Sequence, residues 1–189
     1  MRIALLSTSD TDLLSARGSG ADYVLANPAR PGHQSMAEVI EGCDLVVGRL
    51  LGSPQDLCSG FTRIAATGTP VVVLGGEQQP SAARMALSSV PIGIAAEAHR
   101  YLAEGGPENL RQLHAFLSDT ALLTGEGFDP PAVLPTWGYA ERPATSVDAD
   151  LPRIGVLYYR AHEASGNTAF AHALADAVDA TGLAVGVPI

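Results

Sequence analysis

Val71-Val72-Val73-Leu74, entered through Pro70 and left through Gly75-Gly76, is the stretch that decides the fold. Four apolar residues without alternation mark a strand buried on both faces, which is the habit of parallel sheets covered by helices on each side. Upstream, Leu57, Phe61, Ile64 and Ala65 form the buried stripe of a helix. Ser53-Pro54 is placed to open that helix as N-cap and first-turn proline, and Gly68 is placed to end it. Before it, Asp44 to Leu51 repeats the buried-strand pattern through Leu45, Val46, Val47, Leu50 and Leu51. Met36, Val39, Ile40 and Cys43 stand at i, i+3, i+4 and i+7, one face of a helix, and Ile3 to Leu6 is an opening strand.

Downstream, Ile94, Ala98, Tyr101 and Leu102 mark a further helix closed by Gly105-Gly106. Pro107 starts another, with Leu110, Leu113 and Leu117 on its inner face. The alternation of strand and helix predicts an α/β fold, a parallel sheet flanked by helices of the flavodoxin or Rossmann kind, over residues 1–125. From 126 to 152 the texture changes: Pro130, Pro131, Pro135, Pro143 and Pro152 interrupt any helix, which predicts a linker or an extended arm. Trp137 and Tyr139, large and apolar, favour an arm that packs.

At Arg153 the pattern restarts. Arg153 to Tyr159 reads as a strand, Asn167 as an N-cap, and Phe170, Leu174, Ala177 and Val178 as a helical stripe stopped by Gly182. Leu183 to Val187 then begins another strand, so residues 153–189 read as the start of a second α/β domain. One βαβ unit leaves a two-stranded sheet uncovered, and the expectation is a truncated chain.

Composition narrows the partners. Hydrophobic residues make up 47% of the 189 and charged residues 16%, ample material for a core. The formal net charge is -9, and all 11 basic residues are arginine. Such a balance argues against nucleic acid or an anionic membrane, both of which call for clustered positive charge. No apolar run approaches the roughly 20 residues that span a bilayer. MRIALLSTSD ends its apolar run in an acidic loop, which reads as a first strand in place of a signal peptide. Cys43 and Cys58 are isolated, so the expected setting is a reducing cytoplasm and the expected role of both thiols is small apolar packing.

The candidates for chemistry begin at the loop Ser7, Thr8, Ser9, Asp10, which follows the first strand where open α/β sheets take ligands. Its hydroxyls could grip a phosphate, against the repulsion of Asp10 and Asp12. Alternatively Ser9 or Asp10 caps a helix and Asp12 faces its positive end. Glu77, after Gly75-Gly76, stands at the same ligand-facing edge, and so does Arg49. No G-x-x-x-x-G-K-[ST] phosphate loop exists without lysine. His33, His99, His114, His162 and His172 are scattered; His162-Glu163 is followed by Gly166 where a zincin needs its second histidine. No C-x-x-C pair and no G-x-S-x-G elbow occurs, so no catalytic residue and no metal ligand is assigned.

Several runs nevertheless carry a resemblance. LLSTSDTDLLSAR (Leu5 to Arg17), ANPAR (Ala26 to Arg30), RLLG (Arg49 to Gly52) and GGE (Gly75 to Glu77) stand in order along the first unit. YLAEGGPENLRQLHAFLSD (Tyr101 to Asp119), PTWGY (Pro135 to Tyr139) and GVLYYRAHEASGNTAF (Gly155 to Phe170) follow. Together they are similar to the start of the aerobic cobaltochelatase large subunit, the CobN type, a family related to the magnesium chelatase H subunit. Ser53 follows Gly52 where the family often has a second glycine, which leaves that turn less permissive.

The resemblance implies the amino-terminal part of a tetrapyrrole-binding subunit. In that family cobalt(II) enters hydrogenobyrinic acid a,c-diamide during cobalamin synthesis, and Mg-ATP is hydrolysed by separate AAA+ partner subunits. The metal-insertion centre is expected beyond Ile189, with no cofactor bound by this fragment and no catalysis by the fragment alone. Against a carboxylate-rich corrinoid precursor, Tyr159 and Arg160 at a strand end and Asn167 and Thr168 at a helix start could present an arginine and helix amides. Alternatively Tyr159 packs, Arg160 makes an ion pair and Asn167 caps. Two other functions fit parts of the pattern: the magnesium chelatase H subunit, acting on protoporphyrin, and a stand-alone flavodoxin-like module binding flavin or nucleotide through the Ser7 to Asp12 loop.

Overall fold

The apolar runs of the first part pair side by side as one parallel sheet. In this computed structural model residues 1–30, 35–52, 55–142 and 150–189 are described, without the side chains of Met36 and residues 55–59. His33, Ser53, Pro54 and Pro143, and the side chains of Leu57 and Cys58, therefore lie outside the described residues. The chain divides into two compact units, residues 1–133 and 134–189.

In the first unit the strands are β1 (Ile3–Ser7), β2 (Tyr23–Ala26), β3 (Leu45–Leu50) and β4 (Val71–Gly75). They lie in the order β2-β1-β3-β4, all parallel, with Leu5 opposite Leu25 and Val47, and Val47 opposite Val72. The helices are α1 (Asp10–Gly18), α2 (Met36–Ile40), α3 (Gln55–Ala65), α4 (Ala82–Met85), α5 (Ile92–Glu104) and α6 (Pro107–Ala121). Successive strand residues point to opposite faces, so each run supplies two cores. Ile3, Leu5, Leu45, Val47, Val72 and Leu74 pack with Ala16 of α1, Ala98, Tyr101 and Leu102 of α5, and Leu113 and Leu117 of α6. Ala4, Leu6, Val46, Leu50, Val71 and Val73 pack with Val39, Phe61 and Ile64 on the other face. The doubly buried strand expected at Val71 is thus present, and the fold class is a parallel α/β sheet flanked by helices.

Two local readings differ. α2 ends at Ile40, because Gly42 takes φ 72° and turns the chain, so Cys43 lies past the helix it was expected to complete. The strand β2 was not among those expected: it is a half-buried edge strand of only four residues, held by its pairing with β1. Residues 128–132, inside the proline-interrupted stretch, are tied to the helices of the first unit. Tyr101 Oη donates to Asp129 O at 2.5 Å, Asp129 N donates to Gln112 Oε1 at 2.8 Å, and Ala132 N donates to Asn109 Oδ1 at 2.8 Å. Phe128 stands edge-on to Phe116 at 5.0 Å.

The second unit holds β5 (Arg153–Val156), α7 (Arg160–Ala164), α8 (Ala169–Asp179) and β6 (Val185–Pro188), with β5 and β6 parallel and Ile154 opposite Gly186. Here the expected helical stripe is out of phase. Ala171 and Ala175 are the buried residues of α8, while Phe170 and Leu174 are 42% and 55% exposed. The reason is a close approach: a Cβ added at Gly186 would lie 2.5 Å from the backbone of Ala175, so only small residues fit between α8 and β6. The N-cap of α8 is Thr168, one residue after the expected Asn167, and β5 ends at Val156, three residues short of the expected Tyr159.

Candidate functional site

The carboxyl ends of β1 and β3 are where the strand order of the first unit reverses, the position at which open α/β sheets take ligands. The loop there uses its hydroxyls internally. Ser7 Oγ donates to Asp12 Oδ2 at 2.6 Å and accepts from Ser9 N at 3.0 Å. Thr8 Oγ1 accepts from Leu51 N at 2.8 Å, and Ser9 Oγ shares a hydrogen bond with Thr11 Oγ1 at 2.8 Å. Asp10 accepts from Asn27 Nδ2 at 3.0 Å and pairs with Arg30, and these two donors hold its carboxyl below the usual range.

Asp12 faces inward. Arg49 Nη1 donates to its Oδ1 at 2.7 Å and to Leu102 O at 2.8 Å, and Arg49 Nη2 donates to Gly76 O at 3.0 Å. Burial pushes the Asp12 carboxyl up, opposed by the Arg49 charge and the Ser7 hydrogen bond. Arg49 is only 7% exposed, and its Nε is a buried donor with no hydrogen-bond partner among the described residues. One guanidinium therefore joins α1, β3, the end of α5 and the loop after β4. Glu77 is exposed, and its main-chain oxygen accepts from Nε2 of the buried His99 at 3.0 Å.

In the second unit the residues after β5 and before α8 come together. Tyr159 is 80% exposed. His162, one turn on in α7, lies between it (ring centroids 6.4 Å) and Phe170 (5.1 Å, edge-on). Asn167 Nδ2 stands 3.5 Å from His162 Nδ1, and Asn167 N donates to His162 O at 2.8 Å. Tyr158 pairs through its hydroxyl with Glu163 and stacks edge-on with Phe170 at 6.0 Å; burial first, then Glu163, pushes its phenol up to about 12. Thr168 caps α8 through its main-chain oxygen and makes no side-chain capping bond. Tyr159, Asn167 and Thr168 thus share one edge with His162, and Arg160 opens α7 beside them. Sequence reasoning tested His162 only as a zincin ligand. Its i, i+3 spacing from Tyr159 was the available signal.

The arrangement offers aromatic faces and polar side chains of both hydrogen-bonding senses, suited to the rim of a planar polar molecule. Among the described residues no group of three or more His, Cys, Asp or Glu side chains could hold a metal ion. Among them, too, no helix is long and apolar enough to cross a membrane.

Residues 99–189 match the family model CobN/Magnesium Chelatase. A search of the curated proteins finds no match. Among solved structures, the catalytic subunit of cobaltochelatase from Mycobacterium tuberculosis is 45% identical, with a TM-score of 0.76 over 99% of this chain. The chain spans 16% of that subunit's length. The family match begins at His99 and takes in the second of the two edges described above, while the structural likeness covers nearly the whole chain: residues 99–189 are similar to the CobN/magnesium chelatase family.

Proposed function

We propose that this chain is the amino-terminal part of the tetrapyrrole-binding large subunit of an ATP-dependent cobaltochelatase, which inserts cobalt(II) into hydrogenobyrinic acid a,c-diamide in cobalamin synthesis. The observation that carries the reading is 45% identity over 99% of the chain to a cobaltochelatase catalytic subunit. Separate AAA+ subunits in the cytoplasm hydrolyse Mg-ATP, and cobalt is a substrate handled elsewhere in the subunit. Residues 1–189 bind and orient, and insert no metal by themselves.

Tyr159, Arg160, Asn167 and Thr168 contact the rim of the tetrapyrrole. Arg160 supplies charge to a peripheral carboxylate, and Tyr159 supplies an exposed aromatic face. The first unit acts as a scaffold at its switch point, since the hydroxyls of Ser7, Thr8 and Ser9 bond within the chain. Arg49 and Glu77 serve that scaffold, Arg49 through its ion pair and Glu77 through its main-chain oxygen.

The test is cobalt insertion by the complete subunit with its ATPase partners, followed by the absorbance change of the corrinoid. Turnover of hydrogenobyrinic acid a,c-diamide with cobalt(II), and none of protoporphyrin with magnesium, supports the assignment. Turnover of protoporphyrin instead would assign the magnesium chelatase H subunit. Insertion by residues 1–189 with the ATPases alone would overturn the non-catalytic role. In the complete subunit, Arg160→Ala and Tyr159→Ala should each raise the Kd for the corrinoid about tenfold, the worth of one charge-assisted contact for Arg160 and of one aromatic contact for Tyr159.

A further inference from the structure

The two edges of the β5–β6 ribbon are treated very differently. In a parallel ladder the N–H and C=O of one residue point the same way, and alternate residues point to opposite sides. Val185 N donates to Pro152 O at 2.8 Å, Ile189 N to Val156 O at 2.9 Å, and Tyr158 N to Ile189 O at 3.1 Å. Pro152, Ile154, Val156 and Tyr158 therefore face β6. Arg153, Gly155 and Leu157 turn their main-chain groups outward, as do Gly186 and Pro188 on the far side.

The outer edge of β6 is closed. Gly186 N donates to Asp179 Oδ1 at 2.7 Å, and Gly186 O accepts from Arg142 Nη1 at 2.6 Å. Pro188 O accepts from Ala140 N at 3.1 Å, and proline has no N–H to offer. These are the devices that stop a sheet from growing. Among the described residues the outer edge of β5 has none of them. The main-chain groups of Gly155 and Leu157 meet no partner among the described residues. Around them Ile154 is 49% exposed and Leu157 80%, with Phe170 and Leu174 bare on α8.

We infer that the outer edge of β5 seats a further parallel strand, supplied by polypeptide of the same subunit outside residues 1–189. The first unit shows the same geometry completed: β1 carries β2 on one edge and β3 on the other. β5 and β6 repeat the first half of that arrangement, with the second edge open. A parallel strand suits it because parallel sheets bury apolar faces under crossover helices, and Phe170 and Leu174 are placed to pack under one. The inference rests on the proposed place of the chain in a longer chelatase subunit, of whose solved relative it spans 16%.

Hydrogen exchange of the complete subunit tests it without any substitution. The amides of Gly155 and Leu157 should exchange at least about 100-fold more slowly than their intrinsic rates, as main-chain groups inside a sheet do. Exchange at the intrinsic rate, with Val187 protected in the same sample, would overturn the inference. Protection that vanishes on dilution would assign the edge to a second copy and overturn it equally. Cobalt insertion measured on the same preparation reads the functional assignment separately. An inactive subunit with Gly155 protected sinks the function and leaves the edge standing. An active one with Gly155 unprotected does the reverse.

Discussion

Arg49 and Asp12, 37 residues apart, form an ion pair of 2.7 Å beneath the carboxyl edge of the first sheet, with both side chains less than 10% exposed. A charge left alone at that depth is expensive, whereas an apolar pair of similar volume is tolerated. Arg49→Ala should cost about 3–5 kcal/mol in urea unfolding followed by circular dichroism. The combination Asp12→Leu with Arg49→Met should recover most of that loss. A single variant within about 0.5 kcal/mol of the parent would mean that the pair does not hold the four elements together.

Two imidazoles set the response to acid. His99 is 2% exposed, and burial first, then the Arg49 charge, holds it below the usual range. His114, which bonds Met1 O at 3.1 Å and packs edge-on against Tyr23, is lowered by burial as well. A group whose folded pKa is depressed resists the proton that the unfolded chain accepts. Stability should therefore be full above the ordinary imidazole value of about 6.5 and fall as pH drops through and below it. Urea midpoints measured from pH 8 to 5 should show this decline. His99→Gln, which keeps a donor for Glu77 O, should make it shallower.

Asn109, 2% exposed, fastens the stretch after α6 from both of its amide ends. Its Nδ2 donates to Gly105 O and Ala132 O, each at 2.9 Å, while its Oδ1 accepts from Ala132 N. Asn109→Ala should cost about 1–3 kcal/mol, since two carbonyls and an amide lose their partner. Limited proteolysis should then cut between 126 and 133 before the sheet core. A variant as resistant as the parent would place the anchoring of that stretch in Tyr101 and Gln112 instead.

Gly48 sits in the middle of β3 because Phe61 lies on it: a Cβ there would stand 2.3 Å from the ring. Gly48→Ala should therefore destabilise by about 1–3 kcal/mol. Adding Phe61→Leu should offset much of that loss, a coupling that a double-mutant cycle reads directly.

Long apolar runs declared themselves in the sequence. Val71 to Leu74 and Leu45 to Leu50 could be read as doubly buried strands because burial on both faces leaves each run almost wholly apolar, with Arg49 the one charged residue. β2 could not, since its residues Tyr23 to Ala26 are only half covered and owe their strand to pairing with β1. The phase of α8 was misread for a related reason. Apolar bulk at Phe170 and Leu174 pointed to a buried face, whereas the close approach at Gly186 admits only Ala171 and Ala175. At the candidate site the loop hydroxyls were visible, but their satisfaction within the chain depends on Asp12 turning inward to an arginine 37 residues away. His162 stands at a local spacing from Tyr159, but its contact with Phe170 depends on how the chain turns between α7 and α8, which that spacing does not encode.

Trp137 is the sole tryptophan of the chain, 73% exposed and edge-on to Tyr139 at 6.3 Å in the second unit. Its fluorescence is therefore a reporter for residues 134–189 alone, while the buried Tyr101 belongs to the first unit. In one titration emission would follow the second unit alone, whereas far-ultraviolet dichroism sums the helices and strands of both. Where the two transitions separate, the gap between their midpoints measures how far the sheet of the first unit outlasts the ribbon of the second.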